Sequence, residues 1–326
     1  MPDVAPDDLH RVGVVAIGRN EGDRLLRCLQ SLKGRAGRIV YVDSGSTDGS
    51  VAAARAAGAE VVALDMTRPF TAGRARNAGL AQLVAAGPPP EYVQFIDGDC
   101  EMQPGWIAAG RAFLDANPRA GVVCGRLRER FPERSVYNRL CDGEWNTPVG
   151  PARACGGIAL YRHAALEPAG GFRPGLIAGE EPELCLRLRQ AGWEVWRLAD
   201  EMALHDAAMT RFGQWWQRAR RGGYAAAEAV ALHGLRRDGY GARLARIVIW
   251  GGLLPAAVLL GPLLGGAWMS TGLLVYAAQI LRQNRRGESW LRAGFLTLAK
   301  LPEFQGVMTY LWRRLAGVGT RLIEYK

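Results

Sequence analysis

The chain has 326 residues, 49% of them apolar and 22% charged, which excludes general disorder and leaves room for one large domain or two smaller ones. Its formal net charge of +10 is compatible with nucleic acid, an anionic membrane surface or anionic substrates. Only Lys33, Lys300 and Lys326 are lysines, so the basic charge is nearly all arginine, a bias that a GC-rich bacterial genome accounts for as well as any partner does. The six cysteines, Cys28, Cys100, Cys124, Cys141, Cys155 and Cys185, form no C-x-x-C pair. Reduced, buried thiols are therefore expected rather than a zinc site or a disulfide framework. "MPDVAPDDLHR" has no apolar h-region, so no cleaved secretory signal is expected.

In chain order, "VGVVAI" predicts a buried strand and "EGDRLLRCLQSL" a helix with Leu25, Leu26 and Leu29 on one face. "RIVYVD" then predicts a strand, "GSVAAARAAG" a helix closed by Gly58, and "AEVVAL" a strand. "TAGRARNAGLAQLVAAG" follows as a helix, "YVQFID" as a strand, and "PGWIAAGRAFLDAN" as a helix with Pro104 near its first turn. This alternation, continuing to about residue 203, predicts an α/β domain around a largely parallel sheet.

Beyond about residue 210 the composition changes. "RFGQWWQRARRGGY" mixes paired tryptophans with arginines, as expected of a helix at a membrane interface. Residues 247–281 then run 35 residues without a charge, long for one bilayer span of about 20 residues and barely two. Gly265 and Gly266 mark the natural bend, and arginines flank both ends (Arg243, Arg246; Arg282, Arg285, Arg286). The positive-inside rule places both ends on the cytoplasmic side, so a tight or re-entrant hairpin is expected rather than a single crossing. A buried helical pair in a soluble domain is the alternative, which Pro255 and Pro262 keep open. Leu291, Phe295, Leu298 and Leu301, helically spaced from Trp290 to Tyr310, predict a membrane-surface helix. The expected division is a catalytic domain over 1–235 and a membrane-associated helical region over 236–326, at the cytoplasmic face of the cell inner membrane.

Two strand ends carry the chemistry. "FIDGDCE" delivers Asp97 and Asp99 to the carboxyl end of a strand, where open α/β sheets bind ligands. Carboxylates there can hold Mg2+ or Mn2+ together with substrate phosphates. Five acid-x-acid triplets occur in the chain, so position rather than spelling carries this reading. "YVDSGSTDGS" ends a second strand in Asp43, free to face a ligand, while Ser46 and Asp48 serve the turn and the next helix.

"VAIGRNEGDRLLRCLQSL", "VDSGSTDGS", "RARNAGL", "QFIDGDC", "CGGIALYR" and "GEEPELCLRLRQAGW", in this order over roughly residues 10–220, resemble the family 2 glycosyltransferases of GT-A fold. The resemblance implies a Rossmann-like, mostly parallel sheet flanked by helices. It also implies inverting transfer of a sugar from a nucleotide-sugar, most often a UDP-sugar, to an acceptor hydroxyl, with a divalent cation on the diphosphate. Carried over by position, Asn20, Glu21, Asp43 and Arg76 would contact the nucleotide, and Gly156 and Gly157 would line the donor sugar. Asp99 would bind the metal directly with Asp97 nearer the ribose. His205 would complete the metal or diphosphate contacts, or else serve as an interfacial or core histidine.

The sequence departs from the family pattern in several places. The first loop, "IGRNE", lacks the usual proline, Ser44 replaces the second acid of "DDGS", and "QWWQR" only echoes the motif of chain-extending members, with Arg218 one place late. Processive polymer synthesis is therefore disfavoured. The usual glutamate-aspartate pair reads Glu180-Glu181. Pro182 suits a first helical position, which would put Glu181 at the N-cap, pointing into the cleft as the base and held ionised by the helix dipole. Glu180 would support it, and Glu183 would be structural.

The implied partners are a nucleotide-sugar, a lipid or surface-glycan acceptor and the membrane, with no nucleic acid. A membrane-attached scaffold with a degenerate transferase domain is the non-enzymatic alternative. A nucleotidyltransferase is the other, and "AIGRNEGD" matches its glycine-rich phosphate loop poorly.

Overall fold

The structure is a computed structural model describing residues 6–260 and 268–318. It divides into two compact units, one reaching to Leu176 and including Glu180–Thr210, the other formed by Ile177–Gly179 and the chain from Arg211 onward. The boundary thus falls earlier than the expected 235, and the long helix after Arg211 belongs with the C-terminal helices.

After a short 3-10 turn, Pro6–Arg11, the first unit runs β1 (Val12–Gly18), α1 (Asp23–Leu32), β2 (Arg38–Asp43), α2 (Ser50–Ala56), β3 (Glu60–Ala63) and α3 (Ala72–Ala85). It continues with β4 (Tyr92–Asp97), β5 (Cys100–Met102), α4 (Trp106–Ala116), β6 (Ala120–Glu129) and α5 (Val136–Trp145). β7 (Gly150–Pro151), β8 (Ala159–Arg162), α6 (His163–Ala169), α7 (Glu180–Gln190) and β9 (Glu194–His205) complete it. All four strands and four helices named from the sequence up to residue 117 are present, with ends shifted by a residue or two.

The sheet order is β3-β2-β1-β4-β8-β6-β9-β5, with β7 on β9. β3, β2, β1 and β4 are mutually parallel, as expected. β8 is antiparallel to both β4 and β6, and β5 and β7 are antiparallel to β9, so the sheet is mixed rather than mostly parallel. Short apolar runs such as "IALY" announce a buried strand but carry no direction.

β1 sits between β2 and β4, and its residues Val12 to Ile17 are all buried, which is why it reads as a continuous apolar run. α3 lies against it so closely that a Cβ on Gly79 would sit 2.3 Å from Val15 Cγ1. Registers Gly18↔Asp43 and Ile17↔Asp97 bring the carboxyl ends of β2, β1 and β4 level. The strand order reverses at β1, the place where such sheets bind ligands.

The second unit is helical: α8 (Phe212–His233), α9 (Tyr240–Val248), a π-helical turn (Ile249–Leu253), α10 (Leu254–Leu260), α11 (Trp268–Arg285), α12 (Trp290–Leu298) and α13 (Lys300–Leu315). Backbones of α8 and α13 touch where a Cβ on Gly223 would meet Glu303 O at 1.8 Å and one on Gly306 would meet Arg220 O at 2.0 Å. Tyr224, Ala227, Ile247, Val307 and Tyr310 pack around that crossing.

The described parts of the uncharged stretch lie on two helical runs. Tyr276 Oη donates to Trp250 O (2.7 Å) and Gly272 abuts Val258, so α11 runs antiparallel to the preceding helical run. The expected bend at Gly265 and Gly266 lies outside the described residues. Among the described residues only Tyr240–Leu260, with a mean hydropathy of 1.6 and 11% of its apolar window buried, is long and apolar enough to cross a membrane. The tail is not one surface helix: it breaks at Ala299, and α13 buries Pro302, Gly306, Val307 and Tyr310.

Candidate active site

Arg76, on the buried side of α3, is 2% exposed. Its Nη1 donates to Glu180 Oε1 (3.0 Å) and Glu181 Oε1 (2.9 Å), and its Nη2 to Asp97 Oδ1 (3.0 Å). One guanidinium thus gathers three carboxylates from β4 and the start of α7, and it lies over the Phe172 ring. One positive charge cannot offset three negative ones, so the surplus falls on a carboxyl. Burial, reinforced by the charge of Glu180 against the pull of Arg76, pushes the Glu181 carboxyl up to about 7. The expectation that the helix dipole holds Glu181 ionised is corrected accordingly: burial and a like charge outweigh a partial dipole charge.

α7 begins at Glu180, not at Pro182. Pro182 occupies the third helical position, where the missing N–H would have had no partner anyway, so Glu181 lies in the first turn instead of capping it. Glu183, 3% exposed, is bound by Arg173 and by Arg187 (Nη2 to Oε2, 2.7 Å), a structural role fulfilled through ion pairs. Gly157 closes over the hub: a Cβ there would stand 2.4 Å from Arg76 Nη2 and 3.0 Å from Glu181 Oε1. Nothing lies within 4 Å of the Cβ position of Gly156.

A second cluster forms where β5 pairs with β9. The Cys100↔His205 register sets His205 Nε2 3.2 Å from Asp99 Oδ2, and Cys100 Sγ donates to Asp99 Oδ1 (3.5 Å). The ligand atoms of Asp99, Cys100 and His205 lie within 4.8 Å of one another. His205 Nδ1 is shielded without a hydrogen-bond partner, and its ring packs on Trp145, centroids 4.7 Å apart. A carboxylate with an imidazole suits Mn2+ and the thiol is a softer donor, so these residues fit a divalent ion. Asp97 stands outside this trio, held through Oδ1 by Arg76. Cys100 and Trp145 were not singled out in the sequence, because only the β5–β9 register brings Cys100 opposite His205.

The first two loops are more structural than expected. Asp43 Oδ2 accepts from Gly45 N and Ser46 N (3.0 Å each), and Tyr41 Oη donates to its Oδ1 (3.3 Å). Its carboxylate is therefore engaged rather than free. Asn20, at φ 55°, accepts from Thr47 N (2.7 Å) while its own N–H donates to Ser46 Oγ (2.9 Å), clamping the two loops. Glu21 pairs with Arg24 (2.7 Å). Asp48 Oδ1 accepts from Ser50 N (3.0 Å) and Ser50 Oγ (2.6 Å), tying the turn to the first residue of α2.

A mixed sheet flanked by helices, with acids at the ends of β4 and α7, defines an α/β protein of GT-A-like fold. Residues 14–166, a little under half of the chain, match the model of glycosyl transferase family 2. A pre-mycofactocin glycosyltransferase of Mycobacterium tuberculosis (strain CDC 1551 / Oshkosh) is 28% identical over 265 residues, 77% of this chain and 53% of that protein. The chain thus spans about half the length of the curated relatives it matches.

Among solved structures, a mannosyltransferase from Pyrobaculum calidifontis in complex with GDP-Man and Mn2+ is similar with a TM-score of 0.65 at 20% identity, covering 96% of this chain and 90% of that one. Glucosyl-3-phosphoglycerate synthase from Mycobacterium tuberculosis, in complex with Mn2+, UDP-Glc and phosphoglyceric acid, reaches a TM-score of 0.51 at 19% identity over 71% and 84% of the two chains. These likenesses concern the fold.

Proposed function

We propose that the chain transfers a sugar, with inversion, from a nucleotide-sugar to a hydroxyl of a lipid or surface-glycan acceptor at the cytoplasmic face of a membrane, with Mg2+ or Mn2+ as cofactor. The observation that carries this reading is the Arg76 hub. It fixes Asp97 of the D-x-D pair and a largely enclosed carboxyl, Glu181, on the same guanidinium at the ligand-binding edge of the sheet. UDP-sugars are the donors to test first, since they are the most common in the family.

Glu181 acts as the general base. Its Oε1 is held by Arg76, which leaves Oε2 for the acceptor hydroxyl. The proton passes to Glu181 as the acceptor oxygen attacks C1 of the sugar opposite the leaving diphosphate, and the C1–O bond to the diphosphate breaks. A carboxyl near 7 is close to the optimum for a base at neutral pH. Asp99 and His205 would hold the cation, which supplies charge neutralisation on the diphosphate. Gly156 and Gly157 leave room for the sugar ring, and the loops at Asn20, Glu21 and Asp43 shape the nucleotide end through their backbones.

Membrane attachment is supported by the apolar run Tyr240–Leu260, mostly unburied, and by exposed Leu253, Leu259, Leu273, Leu274, Trp290 and Trp312. The test supplies a panel of labelled nucleotide-sugars to membranes carrying the full chain and follows label into the lipid and glycan extracts. Glu181→Gln should bind UDP and Mn2+ normally yet lower kcat about 10²- to 10⁴-fold. Transfer by that variant at the wild-type rate would overturn the role of Glu181, and no label in either extract would overturn the activity.

A further inference from the structure

β9 carries a buried charge that has no ion pair among the described residues. Arg197 is 3% exposed, and its Nε and Nη1 are shielded from solvent without a hydrogen-bond partner. Burying a guanidinium this way is strongly unfavourable unless an anion joins it. The acids nearby are taken. Asp142 accepts from Arg126 Nη2 (2.8 Å), and Glu201 is closed in a two-bond fork with Arg128 (2.6 and 2.7 Å). Arg126 is itself 5% exposed and takes Asp142 as its ion partner, so no carboxylate is paired with Arg197 among the described residues.

The strand pattern gives these arginines a common face. Trp196 packs on Phe113 of α4 (5.3 Å), so Arg197 projects to the opposite side. Cys124, beside Arg197 in register, and Arg126 share that side, where α5 covers β6 through the Arg126–Asp142 bond. One turn beyond Asp142, Trp145 packs on His205. Cys155 approaches the same place, its Sγ donating to Trp196 O (3.9 Å) and its N–H to Cys185 Sγ of α7 (3.4 Å). Two residues on, a Cβ placed on Gly157 would lie 3.0 Å from Glu181 Oε1. Two residues of extended chain span roughly 7 Å.

We propose that Arg197 and Arg126 form an oxyanion subsite for the acceptor, taking a phosphate or carboxylate group several bonds removed from the hydroxyl that receives the sugar. In the sheet order β8 separates β6 and β9 from β4, so the subsite stands apart from the β1, β2 and β4 ends where the nucleotide belongs. An anion held there would anchor an acceptor whose separate hydroxyl reacts, so that the anion itself would not be the nucleophile. Assigning the subsite to the acceptor rests on the glycosyl-transfer reading, whereas anion binding at Arg197 does not.

The test titrates inorganic phosphate into the detergent-purified full chain by calorimetry, alone and with saturating UDP and Mn2+. Saturable binding, unaffected by UDP and Mn2+, is expected. Arg197→Met should weaken it by about tenfold or more, and Arg197→Lys by less, since a charge-assisted bond is lost or merely reshaped. Removing an unpaired buried charge should leave the Met variant folded, with a melting temperature no lower than wild type and no longer raised by phosphate.

Phosphate bound equally by Arg197→Met, displaced by UDP and Mn2+, or not bound at all would overturn the proposal. If the Met variant fails to fold, a Lys variant that binds phosphate as wild type does would overturn it too. Phosphate binding dependent on Arg197 in a protein that transfers no sugar would leave the anion site standing while the transferase reading falls.

Discussion

The two units use charge in opposite ways. Residues 1–210 hold 24 basic and 26 acidic side chains, whereas residues 211–326 hold 17 and 5, so the whole positive excess belongs to the helical unit. In the sheet unit charges turn inward: Arg76, Arg126, Glu129, Glu180 and Glu183 are all buried. There they bind loops and helices to one another, as Glu129 does through Phe131 N, Ala207 N and Asn138 Nδ2 (3.1 Å each). In the helical unit Glu228 is buried, but the described arginines lie at or near the surface and α8 meets α13 through glycine. Arg282, Arg285 and Arg286 are exposed beside bare leucines. The lesson is that a net charge of +10 says nothing about the site. The site is an acid-rich cluster around one cation, and the basic surface belongs to a different unit.

That contrast is broken most severely at Arg76. Arg76→Met leaves three carboxylates without their cation and should cost about 3–5 kcal/mol of stability at pH 8, as removing one partner of a buried ion pair does. Without the guanidinium the carboxyls protonate more readily, so the deficit should shrink as pH falls towards 5. Chemical denaturation at the two pH values measures both, and a deficit independent of pH would mean that Arg76 matters for packing alone.

The counterpart in the helical unit is uncharged. Gly306→Val places side-chain atoms where backbone of α8 already stands and should cost about 1–3 kcal/mol or more, equally at pH 5 and 8. Unfolding followed at both pH values tests this, and a cost that varied with pH would erase the distinction between the units. A gentler probe replaces Arg282, Arg285 and Arg286 together by glutamine. At roughly 1 kcal/mol per basic residue near an anionic surface, affinity for phosphatidylglycerol-containing vesicles should fall by about 100-fold or a little more, with binding to neutral vesicles unchanged. Equal loss on both vesicle types would remove charge from the membrane reading.

Much of this contrast was legible in the sequence, and the limits are physical. β1, β2 and β4 were readable because a strand buried on both faces must be apolar throughout, and Asp43 and Asp97 stood out as acids closing such runs. The antiparallel entry of β8 was not, since direction is set by the connections and not by the strand's own residues. Asp43 looked free because the spelling of the loop does not reveal that Gly45 and Ser46 turn their N–H groups back on it. Glu181 was placed at a cap because Pro182 suits a first position, but the third position tolerates proline equally. Its ionisation was misjudged because burial and the nearness of Glu180 are properties of the folded site. Arg197 was passed over, since an arginine in a strand reads as a surface residue until its surroundings are known.

The smallest expected effect is the sharpest test of how the acid cluster works. Glu181 is faced by Arg76 from α3, Asp97 from β4, Tyr161 from β8, and Glu180 and Cys185 on its own helix. Its carboxyl, raised to about 7, must be ionised to act as a base, so kcat/KM should rise with pH and level off above about 7. Stability runs the other way. A carboxyl raised in the folded state favours folding most below its unfolded pKa, and that contribution is lost as pH climbs through about 7. Glu180→Gln removes the like charge while keeping a side chain of the same shape beside Arg76. The rising limb of the kcat/KM profile should then move to lower pH, with the plateau nearly unchanged, because burial still acts on Glu181. A limb that stays in place would mean that Glu180 does not tune the base, and one that moves upward would mean that the titrating group is not Glu181.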